Sequence, residues 1–132
     1  MLLTMLLTKL MNRINTQLIG QDAETLACDY LLKNGLNLIT RNYRCKTGEI
    51  DLIMRDKDAL VFVEVRFRRN QNFGSSSETV NYFKQQKLLR TAQFYLLQHR
   101  LTDKVPCRFD VIAITQATAQ PAIEWIKSAF TA

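Results

Sequence analysis

Histidine is almost missing from this 132-residue chain, with His99 alone, and one imidazole cannot anchor a histidine-rich metal centre. Cysteine is nearly as scarce. Cys28, Cys45 and Cys107 are odd in number and none is spaced Cys-x-x-Cys. A disulfide framework and a zinc ribbon are therefore not expected, and a reducing cytoplasm is the expected location. Glycine and proline together fill six positions, too few for a fibrous or low-complexity chain. No apolar run is long enough for a membrane. The start, MLLTMLLTKLM, is interrupted by Lys9, has no basic region ahead of it and is followed by no small-residue cleavage site. It falls short of the roughly 20 residues of a span. Residues 1–14 read as an N-terminal extension, loosely held or packed against a neighbour, with Met5 or Met11 as alternative starts. No membrane partner is expected.

What the chain does have is a core. Hydrophobic residues make up 47%, enough at this length for one domain, assigned to residues 15–132. The formal net charge is +6 and is unevenly placed. Residues 66–108 carry nine basic and two acidic side chains, whereas residues 1–65 carry eight of each. A local basic excess suits a polyanion such as a nucleic-acid backbone, or else a solvated helix face.

Apolar positions Ala23, Leu26, Ala27, Tyr30 and Leu31 recur at helical spacing, and Asn34-Gly35 is a stop signal, so a first helix is expected over residues 17–34. Strands follow over 36–44, 48–55 and 59–68, the last two joined by the short turn Asp56-Lys57-Asp58 and hence antiparallel. Residues 70–78 read as a polar loop. A second amphipathic helix carries Leu88, Leu89, Ala92, Tyr95 and Leu96 and runs to about residue 101; a strand over 107–115 and a short strand or helix over 123–130 complete the chain. The order αβββαβ implies an α/β or α+β fold, a small mixed central sheet flanked by helices.

The segment GEIDLI, residues 48–53, puts Glu49 and Asp51 in a strand that otherwise reads as core, where unpaired carboxylates are costly. Alternation gives Glu49, Asp51 and Ile53 one side and Ile50, Leu52 and Met54 the other. In the next strand Leu60, Phe62, Glu64, Arg66 and Arg68 share a face opposite Val61, Val63, Val65 and Phe67. With a two-residue turn at Lys57-Asp58, Asp51 falls opposite Glu64, their β-carbons about 4.5–5.5 Å apart. Like charges so placed call for a raised carboxylate pKa or a cation between them. Mg²⁺ or Mn²⁺ held by Asp51 and Glu64 answers that need without histidine. An ion-pair cluster in which Arg66 neutralises both acids answers it without metal. Glu24, at the border of the first helix's apolar face, is placed to add a third carboxylate. Lys84 borders the apolar face of the second helix, either as a phosphate-stabilising cation or as a side chain snorkelling over the sheet. Lys87 and Arg90 face solvent on that helix and, with Arg68 and Arg69, are candidate phosphate contacts. Asp110 either supports the site or pairs with Arg108, and Phe73 and Tyr82, aromatics flanking the polar loop, either stack on a base or, as is commoner, pack into the core or loop.

The elements GQDAETLACDYLLKNGL, GEIDLI, FVEVR and RFDVIAI resemble the YraN-type family of small uncharacterised bacterial proteins, over residues 18–130. That family in turn resembles restriction-endonuclease-like nucleases, in particular archaeal Holliday junction resolvases, whose signature is an Asp, a Glu-x-Lys on the next strand and often a Glu on the first helix. Carried over, these positions are Asp51, Glu64, Arg66 in place of lysine, and Glu24. Lys84 also matches a lysine that the family tends to carry. The resemblance implies a Mg²⁺- or Mn²⁺-dependent endonuclease acting on DNA, branched DNA included, with the homodimer by which resolvases act on two-fold substrates. The departure at Arg66 has a chemical consequence, because a permanently protonated guanidinium cannot serve as a base. A nucleic-acid-binding module on a nuclease scaffold, without catalysis, is therefore the second reading. A protein–protein adaptor using the apolar N-terminus is the third.

Overall fold

A computed structural model describes residues 2–69, 80–116 and 119–131, the side chains of 12–21 excepted. The elements run α1 (Leu2–Lys33), β1 (Asn37–Cys45), β2 (Gly48–Asp56), β3 (Ala59–Arg68), α2 (Tyr82–Gln98), β4 (Cys107–Thr115) and β5 (Ala122–Phe130). The five strands form one mixed sheet in the order β1-β2-β3-β4-β5. Neighbours are antiparallel except β3 and β4, which are parallel, as a connection through α2 requires.

α1 ends at a glycine cap. Gly35 adopts φ +94°, the Leu36 amide donates to the Leu31 carbonyl at 3.1 Å, and the Gly35 amide donates to Leu32, which closes the last turn and starts β1 in the opposite direction. The helix begins at Leu2 rather than at residue 17, since the leucine- and methionine-rich start holds strong helix formers and no proline. Leu2, Leu3, Met5, Leu6, Leu7, Leu10 and Met11 are exposed along it. Of the expected buried face, Ala23, Ala27 and Leu31 are buried with Cys28, but Leu26 is 37% exposed. α2 stops at Gln98, earlier than its apolar spacing suggested, and the terminal segment is a strand. The polar loop and Phe73 lie outside the described residues.

Two cores sandwich the sheet. Ala23, Ala27, Cys28 and Leu31 of α1 pack with Leu52, Met54, Val61, Val63, Ile112 and Ile114. On the other face, Leu88, Ala92 and Tyr95 of α2 pack with Ile50, Ile53, Leu60, Phe62, Phe109 and Val111. Burial of a large aliphatic or aromatic side chain is worth about 1.5–3 kcal/mol, so both helices are fixed by their apolar faces. The architecture is α/β with a helix layer on each side.

β2 departs from simple alternation. Ile50 sorts with Ile53 instead of with Leu52 and Met54, so the strand changes faces between Ile50 and Leu52. Across from this point Asn42 of β1 has φ +52°, and the β1–β2 pairing skips it and Asp51. No residue is inserted here, the register shift of this strand pair lying between Leu38 and Thr40, and Asp51 at the change of face lies near Glu24 of α1 and lines a cleft with residues of α2.

Candidate active site

The hairpin register is the one that the two-residue turn dictates, with Leu52 opposite Val63, Met54 opposite Val61 and Asp56 opposite Ala59. The ladder ends at Leu52 and Val63. One step on, a side chain replaces the missing backbone pairing, because the Val65 amide donates to Asp51 Oδ2 at 2.8 Å. Asp51 and Glu64 thus flank the point where β2 and β3 part.

Glu49, Asp51 and Glu64 line a cleft of about 480 Å³, with Gly48 and with Asn81, Phe83, Lys84, Lys87 and Leu88 from the start of α2. Glu64 is buried and ion-paired with Lys84. Glu24 comes from the α1 side, and one carboxylate oxygen from each of Glu24, Glu49 and Asp51 lies within 4.8 Å of the other two. Asn42 joins the outer pair. With its amide oriented by the hydrogen-bond network, its nitrogen donates to Glu24 Oε2 at 3.0 Å and to Glu49 Oε1 at 3.3 Å. Arg44 Nε lies 3.3 Å from Glu49 Oε2.

The electrostatic consequence falls on Asp51. Burial, first, and then the neighbouring Glu64, Glu24 and Glu49 push its carboxyl up to about 7, against the lowering effect of the Val65 amide. A carboxylate so crowded binds either a proton or a cation. The donor set consists of hard oxygens on converging side chains, which fits Mg²⁺ or Mn²⁺.

Of the residues expected from sequence, Glu24, Asp51, Glu64 and Lys84 meet in this neighbourhood. The cation at Glu64 is Lys84, and Arg66 is half-buried at a position opposite Ala113 of β4, not among the lining residues. Lys87 is exposed, as expected, and its exposed side chain also lines the cleft. Arg69 and Arg90 are exposed and Arg68 is partly buried, none of them lining it. Glu49 and Asn42 were not singled out as site residues. For Glu49 the signal was its place two residues before Asp51, whereas Asn42 is defined by its positive φ, which sequence does not display.

Asp110 is structural. It is fully buried, 3.1 Å from Arg108 Nε, and accepts the Trp125 indole N–H at 2.9 Å and the Ser128 amide at 3.0 Å.

All these site residues fall within the stretch matched by a family model, residues 23–114, described as Uncharacterised protein family UPF0102. A UPF0102 protein of Coxiella burnetii is 54% identical over 86% of this chain and 92% of its own length. One from Legionella pneumophila is 49% identical over 89% and 98%, and one from Saccharophagus degradans 51% identical over 85% and 92%. Among the described residues no helix is long and apolar enough to cross a membrane. With a family model matching most of its length and relatives near half identity across nearly theirs, the chain belongs to the Uncharacterised protein family UPF0102.

Proposed function

We propose that this protein is a Mg²⁺- or Mn²⁺-dependent phosphodiesterase acting on DNA. The observation that carries the reading is the convergence of the Glu24, Glu49 and Asp51 carboxylates within 4.8 Å of one another, in and beside a cleft that Lys84 and Lys87 enter from α2. Three carboxylates alone repel a phosphodiester, so a cation is needed before the two can meet. When bound, a hard divalent ion neutralises phosphate charge and lowers the pKa of water.

The chain's own groups do the rest. Glu24, Glu49 and Asp51 are the holding set, with Glu64 beside Asp51 completing the acidic wall. The Lys84 ammonium, tethered by Glu64, is aimed to meet a phosphate oxygen and to stabilise the charge that develops there. In this reading it takes over the charge-stabilising task of the lysine that Arg66 replaces. Lys87 and the N-terminal end of α2, whose first turn holds no acid, add positive potential for the same phosphate. Arg68, Arg69 and Arg90 extend the basic surface along flanking DNA. The free thiols Cys28, Cys45 and Cys107 accord with a reducing cytoplasm, and a homodimer would present two such clefts to a two-fold substrate.

The test is incubation of linear, flapped and four-way DNAs with the full chain and Mn²⁺, beside Asp51→Asn, Glu49→Gln and Glu24→Gln. Cleavage by wild type, abolished by Asp51→Asn and reduced by the other two, is the expected result. Salt-sensitive binding without cleavage by any form would instead make the protein a DNA-binding module on a nuclease scaffold. Undiminished cutting by Asp51→Asn would remove the assignment of the site.

A further inference from the structure

Two neighbouring aromatic rings stand in solvent at the edge of the carboxylate cleft. Tyr82 and Phe83 are 67% and 81% exposed, and their ring centroids lie 6.2 Å apart at 73°. They sit on an ordered helical turn. Asn81 caps it, its Oδ1 accepting the Lys84 amide at 2.9 Å, and the Gln85 amide donates to the Asn81 carbonyl at 2.9 Å. Phe83 and Lys87 are four residues apart and so share one side of α2, and both line the cleft with Asp51 and Glu64.

The pattern is that of a nucleotide read in two parts. A flat apolar face next to two ammonium groups and a helix N-terminus whose first turn holds no acid offers one surface to a base and the other to its phosphate. Only an unpaired base can use that ring, since in a duplex both faces of a base are covered by its neighbours. Charge complementarity argues for nucleic acid over an apolar partner, because Lys84 and Lys87 flank the rings. Resting on the phosphodiesterase reading above, we infer that Phe83, with Tyr82 beside it, is a stacking platform for an unpaired nucleobase adjoining the bound phosphate, so that the favoured DNA carries a single-stranded or flapped nucleotide at the cleft.

The full wild-type chain, with Ca²⁺ as a hard cation in place of Mg²⁺ so that binding is read apart from cleavage, is titrated against a flapped DNA and a blunt duplex of the same sequence, each with 2-aminopurine at the same position. Saturable fluorescence quenching and tighter binding are expected for the flap. Phe83→Ala should weaken flap binding by about five- to 100-fold with little effect on the duplex, Phe83→Trp should keep the preference, and Lys87→Ala should weaken both substrates. An equal loss on both DNAs, or none, with Phe83→Ala overturns the inference, as does sedimentation showing that wild type self-associates through this surface and Phe83→Ala does not. The two readings fail separately. A wild type that cuts duplex and flap alike, unchanged by Phe83→Ala, loses the platform and keeps the nuclease; one that never cuts but still prefers the flap through Phe83 does the reverse.

Discussion

Lys84 on the first turn of α2 is ion-paired with Glu64 of β3, which ties the helix that walls the cleft to the strand beneath it. The partners are unequal, with the Glu64 side chain 8% exposed and the Lys84 side chain half in water. A buried carboxylate therefore depends on a cation that solvent can also reach, and a phosphate entering the cleft can share that cation without leaving Glu64 bare.

Removing the ammonium exposes the dependence. Lys84→Met should lower stability by about 1–3 kcal/mol at neutral pH, the cost of leaving a buried acceptor without its partner, and Lys84→Arg should recover most of it. Mn²⁺ should restore part of the loss in Lys84→Met, since a nearby cation again neutralises the acidic wall. Thermal melts of the three proteins with and without Mn²⁺ check this; an unchanged melting temperature in Lys84→Met would mean that the pair contributes nothing to the fold.

Asp51 sets a pH dependence of definite sign. Its carboxyl is raised from 3.8 in the unfolded chain to about 7 in the fold, chiefly by burial, so the native state holds this proton more tightly. The associated stability is complete below about pH 4 and is lost as pH rises through about 7. Without divalent ions, Asp51→Asn should gain stability relative to wild type from pH 5 to pH 8, its amide oxygen still accepting from Val65. With Mn²⁺ the trend reverses for wild type, because the metal competes with the proton and binds better as pH rises. Melting curves across that range, with chelator and with Mn²⁺, decide it; parallel curves for wild type and Asp51→Asn would refute it.

The neighbourhood of Asp51 and Glu64 was legible because a two-residue turn leaves one antiparallel register, although the ladder ends at Leu52 and Val63, one pair short of them. Both helices were legible from their apolar spacing. Strict alternation then misled at Ile50, where β2 changes faces across from the positive-φ Asn42, a backbone event that no residue type in GEIDLI announces. Glu24 was legible as a third carboxylate from its place at the border of the first helix's apolar face, whereas its approach to Glu49 emerged only in three dimensions. Lys84 was placed on the helix edge by periodicity, but its pairing with Glu64 depends on how α2 lies over β3. Leu26 shows the limit from the other side: helical spacing names a face, and the packing partner decides how much of it is covered.

Gly48 has a sharper role than a tight turn. Its φ is +152°, and a β-carbon there would meet Thr91 Oγ1 at 3.1 Å. Thr91 has little room to yield, being fully buried, 3.1 Å from Thr47 Oγ1 and donating to the Lys87 carbonyl at 2.8 Å. Gly48→Ala should therefore cost more than about 1 kcal/mol and weaken Mn²⁺ binding without altering a ligand, by displacing Glu49. Adding Thr91→Ala should relieve the contact but not the backbone strain, giving partial recovery. Calorimetric titration with Mn²⁺ and thermal melts of the single and double variants measure both parts, and full metal affinity in Gly48→Ala would show that Glu49 does not depend on this turn.

Asp110 separates stability from the site. Its carboxylate gathers Arg108, Trp125 and the Ser128 amide where the β4–β5 pairing shifts between Phe109 and Val111. Arg108 also lies 3.0 Å from Asp56 at the end of β2, and its Nη2 is buried without a partner, so it has no spare interaction to absorb a loss. Asp110→Ala should cost about 3–5 kcal/mol, the range for breaking a buried pair by removing one member. Mn²⁺ affinity per folded molecule should stay at the wild-type value, because the carboxylates proposed to hold the ion belong to β2 and α1. A denaturant melt paired with Mn²⁺ titration well below the midpoint tests this, and a variant that melts normally but binds Mn²⁺ poorly would move Asp110 from the scaffold into the metal site.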